Sequence, residues 1–252
     1  MYVPLTESHD DSRVVPSVAE RRARNRREMV DGILMAARAQ IREEGAAALN
    51  LNEVARRVGV TTPALYKYFP GKMALYDALF RLGTRIFREE LEALNLGEAP
   101  SARAGMRATF EQQLSFALRY PELHELVLQR PVPRFVPSEE GLREAAQLED
   151  IGRRIMDQWI ARGLIAPKGP PERAFNLLLA VTGGLTSAHM ANEPHLPVGQ
   201  GRFGSLVPDA VSLFEEAWAP APTRQRMDQR PRARDRDGIR KKTSRKVDGR
   251  KR

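Results

Sequence analysis

Apolar residues recur along this chain with helical spacing, and no stretch alternates with the period of two that a half-buried strand requires. The first stripe is Val30, Ile33, Leu34, Ala37 and Ile41, within a helical pattern that begins at Arg21 and stops at Gly45. Asn50 is placed to cap a second, short helix with Leu51, Val54, Ala55 and Val58 on its buried face. Its side chain is expected to accept from the Glu53 amide while Glu53 reaches back. Gly59 ends that helix. Thr61 caps a third helix over residues 62–69, where Pro63 sits in the first turn and its missing N–H costs nothing. Pro70 and Gly71 then separate it from a long helix marked by Leu75, Leu79, Leu82, Ile86 and Leu94. Further helices are predicted at about 101–119, 122–129, 139–162, 171–192 and 205–218, with Gly163 closing the third of these.

The predicted fold class is therefore all-α. Residues 1–20 read as a disordered arm, because Pro4, Pro16, serines and acids follow one another without periodicity. Residues 219–252 are rich in Pro, Arg, Lys and Asp with few apolar groups, and read as a disordered basic tail. The chain contains no cysteine, which excludes disulfides, thiolate metal sites and cysteine nucleophiles. No apolar run approaches the ~20 residues of a membrane span and no signal-peptide pattern opens the chain, so the expectation is a cytoplasmic protein without membrane contact.

The distribution of charge says more than the total of +9. Residues 19–72 carry eleven Lys/Arg against six Asp/Glu, and residues 219–252 carry fourteen against four. Residues 73–218 carry fifteen against nineteen. Two basic regions flanking a mildly acidic body point to a polyanion contacted by the ends.

Residues 51–69, L-N-E-V-A-R-R-V-G-V-T-T-P-A-L-Y-K-Y-F, have the layout of a helix-turn-helix. Ala55 and Leu65 are placed where the two helices cross, and Gly59 lies near the turn. The second helix offers Thr61, Thr62, Tyr66 and Lys67 near its N-terminus, the end that enters a major groove. An ordinary helical hairpin, in which Tyr66 and Tyr68 serve as packing residues, has the same spacing. Arg21, Arg22, Arg24, Arg26 and Arg27 before the motif, and Lys72 after it, favour the nucleic-acid reading.

With its L-Y-x-Y-F-x-x-K ending, the segment from Gly45 to Leu75 closely resembles the DNA-binding domain of the tetracycline-repressor (TetR) family. The resemblance covers about residues 24–90. Thr182 to Pro194 is similar to the C-terminal domains of some actinobacterial-type members. The resemblance implies an N-terminal three-helix helix-turn-helix DNA-binding domain over 21–90, joined by a long helix to a helical effector-binding and dimerisation domain over 91–218. It also implies that Thr61, Thr62, Pro63 and Tyr66 face bases or sugars. Lys67, Tyr68, Lys72, Arg27 and Asn50 would then meet phosphates. Two positions depart from the pattern, Asn50 for a usual Ser/Thr cap and Pro63 for a frequent Gly or Ala. A single recognition helix this short implies a homodimer on a palindromic operator in double-stranded DNA, with half-sites roughly 34–36 Å apart. The family pairs its last two helices with their symmetry mates. Here those carry Phe175, Leu178, Leu179, Thr182, Leu185 and Met190, then Leu206, Ala210, Val211, Leu213, Phe214, Ala217 and Trp218. Simple core packing explains the same residues equally well.

A small-molecule effector would lie among the helices between about 101 and 192, lined by Phe110, Leu114, His124, Trp159, Phe175, His189 and Asn192. Pro131, Pro133 and Pro137 stiffen a loop that is either a plain connector or the frame of an entrance. Gly199 to Gly204 formally matches a dinucleotide fingerprint, but no strand precedes it and a flexible loop is the simpler reading. The four histidines lack metal-ligand spacing, and neither a P-loop nor a nucleophile elbow is present. No enzyme, cofactor or metal is expected. The function expected is a regulator, most often a repressor in this family. The alternative is a nucleic-acid-compaction protein driven by the basic tail.

Overall fold

The computed structural model describes residues 17–129 and 131–220. The N-terminal arm through residue 16 and the basic tail from residue 221 lie outside the described residues. Ten α-helices are described: α1 (Val18–Glu44), α2 (Leu51–Val58), α3 (Thr62–Tyr66), α4 (Lys72–Ala93), α5 (Ala102–Arg119), α6 (Pro121–His124), α7 (Glu139–Ala161), α8 (Pro171–Asn192), α9 (Gly201–Gly204) and α10 (Val207–Trp218). Among the described residues there is no strand.

Helix α1 starts three residues before the expected position. Ser17 and Glu20 form a capping box there, the Ser17 hydroxyl accepting from the Glu20 amide and the Glu20 carboxylate from the Ser17 amide. Helix α3 is one turn shorter than the spacing predicts, and the chain after Tyr66 continues as a turn. The segment over 121–129 divides into α6 and a π-helical turn, Glu125–Gln129. The expected last helix over 205–218 is preceded by α9, so the glycine-rich stretch contains one helical turn instead of being wholly loop.

Two cores form. The first joins α1–α4 to α6 through Ile33, Ala37, Val54, Leu65, Leu75, Leu79 and Leu123, all buried. The loop after the π turn belongs to it: Phe135 packs on Tyr76 and Phe80, with ring centroids 5.9 and 6.1 Å apart. The second core gathers Met106, Phe110, Met156, Trp159, Phe175, Val211 and Phe214 from α5, α7, α8 and α10. Partly buried Leu148 of α7 packs against both. Gly105 makes the second core possible, because a Cβ there would stand 2.4 Å from the Trp159 ring.

Helix α8 is long and apolar enough, by length and composition, to cross a membrane. That departs from the expectation that no segment comes near the requirement. It is also a core helix, with Ala174, Phe175, Leu178, Thr182, Thr186 and His189 buried.

Candidate nucleic-acid interface and ligand cavity

The geometry of the α2–turn–α3 unit follows from a few residues. Ala55 and Leu65 are both buried, and Gly59 adopts the left-handed conformation (φ 79°) that ends α2 and turns the chain. Thr61 caps α3 by accepting from the Ala64 amide, and the Thr62 hydroxyl donates to Asn52 Oδ1 at 2.9 Å, tying α3 to α2. The cap of α2 differs from the expected box. Asn50 Oδ1 accepts from the Asn52 amide at 2.9 Å, and the Asn50 amide donates to Gln40 Oε1 at 3.0 Å. Glu53 does not reach back, because Arg56 and Arg57 hold its carboxylate at 2.7–2.8 Å. Those hydrogen bonds, Arg56 first, lower the Glu53 carboxyl to about 2. Buried Gln40 was missed in the sequence; as a polar residue on the apolar stripe of α1, it was the visible signal.

Thr61, Pro63, Tyr66 and Lys67 are exposed, so α3 and its caps present a hydroxyl and a proline ring at the N-terminal end and a phenol beside an ammonium at the C-terminal end. Thr62, Tyr68 and Lys72 are half-buried. The Arg26 guanidinium lies 5.2 Å from the centre of the Tyr68 ring. Lys72 Nζ donates to the Ala47 carbonyl at 2.9 Å, so part of its donor capacity is already used. Asn50 and the run Arg21, Arg22, Arg24, Arg26, Arg27 on α1 are exposed. The structure therefore brings an uncharged, hydrogen-bonding helix end together with flanking cations, the arrangement that separates base reading from phosphate contact.

Residues 33–79 match the family model of bacterial regulatory proteins, tetR family. Solved structures agree over much more of the chain. A protein of unknown function from Rhodococcus sp. RHA1 is 26% identical with a TM-score of 0.63, covering 76% of this chain and 95% of its own. The transcriptional regulator FadR from Bacillus subtilis, solved in complex with stearoyl-CoA, is 17% identical with a TM-score of 0.58, covering 74% and 98%. A TetR-family transcriptional regulator from Chloroflexus aurantiacus J-10-FL is 18% identical with a TM-score of 0.55, covering 77% and 94%. No curated protein matches the chain in sequence. Residues 33–79 of this chain are thus similar to the tetR-family regulatory domain, and its fold is the one these solved structures share.

A cavity of about 190 Å³ lies between α4, α5, α7, α8 and the π turn. Of the seven residues expected to line an effector site, Trp159 and Phe175 do so. The other five lie elsewhere, because helical spacing fixes which residues share a face but not which neighbour that face meets. Phe110 is core, 6.4 Å ring to ring from Phe214, and Leu114 is fully buried. His124 is buried in α6, where desolvation pushes its imidazole down to about 4. His189 meets the Leu196 carbonyl through Nε2 at 3.1 Å, and Asn192 donates to the Ala188 carbonyl at 2.7 Å. The residues that do line the cavity include Phe80, Thr84 and Phe87 of α4, Gln113 of α5 and Val127 of the π turn.

An ion-pair hub on a buried carboxylate ties α6 to α1. The Glu122 carboxylate of α6 is fully buried and accepts from Arg38 Nε at 2.8 Å and from Arg42 Nη2 at 2.8 Å, both on α1. Helix α6 runs straight into the π turn, whose Val127 and Leu128 line the cavity. The cavity wall and the first helix of the DNA-binding domain thus share one short element. Sequence reasoning missed Glu122.

Proposed function

We propose that this protein is a cytoplasmic homodimeric repressor that leaves a palindromic operator when a small molecule enters the cavity. One observation carries the DNA half of this reading: the exposed residues of α3 and its cap (Thr61, Pro63, Tyr66) are held on a buried α2–α3 crossing and flanked by cations. In the bound state Thr61, Thr62, Pro63 and Tyr66 read bases or sugars, while Lys67, Tyr68, Lys72, Arg27 and Asn50 meet phosphates. Lys72 does so with the donors that the Ala47 carbonyl leaves free. Dimerisation rests on α8 and α10, where Leu177, Leu179 and Leu213 stay exposed beside a buried face. Release runs from the cavity through the π turn and α6 to Arg38 and Arg42 of α1.

Footprinting on the DNA beside the gene tests the reading. One protected palindrome with half-sites about one helical turn apart is expected. Uniform coating without a preferred site would instead favour a compaction protein driven by the basic tail.

A further inference from the structure

The ligand cavity has an unusual electrostatic inventory. Among the described residues no lysine, arginine or histidine lines it, and Glu149, the one charged residue of the described lining, pairs with Arg153 at 3.3 Å. Aromatic and aliphatic side chains form most of the wall, Phe80, Phe87, Trp159 and Phe175 among them. Two polar groups interrupt it. Gln113 is buried and makes no side-chain hydrogen bond with a described residue. Thr84 is 1% exposed, and its hydroxyl has no partner.

Two threonines in these helices, Thr84 and Thr186, have buried hydroxyls without a described partner, and of the two Thr84 lines the cavity. Thr109 donates to the Gly105 carbonyl at 2.9 Å and Thr182 to the Leu178 carbonyl at 2.7 Å, the ordinary way for a helical threonine to satisfy itself. Thr84 does not, and of the buried polar atoms without a partner it alone belongs to the cavity lining. Leaving such a group desolvated is costly, and a ligand atom is what relieves the cost. A carboxylate or phosphate entering here would find no countercharge, and an ammonium would find a carboxylate already paired.

We propose that the cavity takes an uncharged, largely apolar small molecule whose polar end hydrogen-bonds to the Thr84 hydroxyl and the Gln113 carboxamide. The proposal rests on reading this cavity as the effector site, and it commits to a chemical class that the reading leaves open. Three probes of equal chain length test it at pH 7 on the full-length protein: 1-octanol, octanoate and octylammonium, followed by calorimetry. Octanol is expected to bind saturably and at least about tenfold more tightly than either ion. Thr84→Val, which keeps the shape and removes the hydroxyl, is expected to weaken octanol by about three- to tenfold without lowering the melting temperature of the free protein. Gln113→Leu should weaken it similarly. Equal or tighter binding of either ion, no saturable octanol binding, or octanol binding indifferent to Thr84→Val would each overturn the proposal. Operator DNA added in a second arm separates the two ideas. Octanol that binds in this way yet leaves the DNA complex intact supports the ligand class and defeats the effector reading. Release by octanoate without octanol binding does the reverse.

Discussion

Tyr66 and Lys67 are neighbours in sequence, both exposed, and expected to do different things. The Tyr66 phenol, on the last residue of α3, can touch a base edge or a sugar, whereas the Lys67 ammonium beside it meets phosphate as a point charge. Lys67→Ala should weaken binding to all sequences alike and lower the salt slope by about one. Tyr66→Ala should instead narrow the gap between operator and random DNA. Titrations on both DNAs at several salt concentrations check this, and equal loss of specific and non-specific binding in both variants contradicts it. The residue scale also shows where local sequence rules yield to stronger partners. An Asn-x-x-Glu capping box was legible at Asn50, but two guanidiniums outcompete one backbone amide for the Glu53 carboxylate. The Ser17–Glu20 box was equally legible by the same rule and sets the true start of α1.

At the scale of elements, α6 is the short piece on which two larger ones depend. Its Glu122 side chain is the acceptor for Arg38 and Arg42, and removing one member of a buried pair leaves the rest uncompensated. Arg42 is about half exposed and can turn to water, so the loss should fall below the 3–5 kcal/mol typical of fully buried pairs. Glu122→Gln is expected to lower stability by about 2 kcal/mol, a drop of roughly 4–8 °C in melting temperature for a domain of this size. Calorimetric melting of both proteins measures it, and an unchanged melting temperature means that the hub carries no weight. The helices themselves were largely visible in the periodicity, α5, α7 and α8 almost to the residue. The π turn at Glu125–Gln129 was not, because its signature is a hydrogen-bond register and not a residue pattern.

On the scale of the whole molecule, the apolar surface left on α8 and α10 is the main feature awaiting a partner. Leu213 is 68% exposed, while Phe214 next to it is buried in the second core. The two faces of α10 are thereby separated, which makes Leu213→Asp a surface change and not a core change. Light scattering at micromolar concentration should give twice the 28.3 kDa chain mass for the wild type and the single-chain mass for Leu213→Asp, with operator affinity falling in step. A wild-type mass of one chain removes the dimer from the proposal.

The sequence alone determined the helical class, the position of the α2–turn–α3 motif and the family resemblance. Each of these depends on local signals: spacing of apolar residues, capping side chains, a glycine at a left-handed turn, and a run of residues with specific chemistry. Only the tertiary structure decided which residues line the cavity. Trp159 and Phe175 line it, as do Thr84 and Gln113, which the periodicity did not single out, whereas Phe110, Leu114, His124, His189 and Asn192 lie outside that lining. The same holds for Glu122, whose partners are some 80 positions away in sequence. A helix declares its own apolar face through its period, but what that face meets depends on crossing angles and side-chain volumes contributed by other helices. No single segment carries that information.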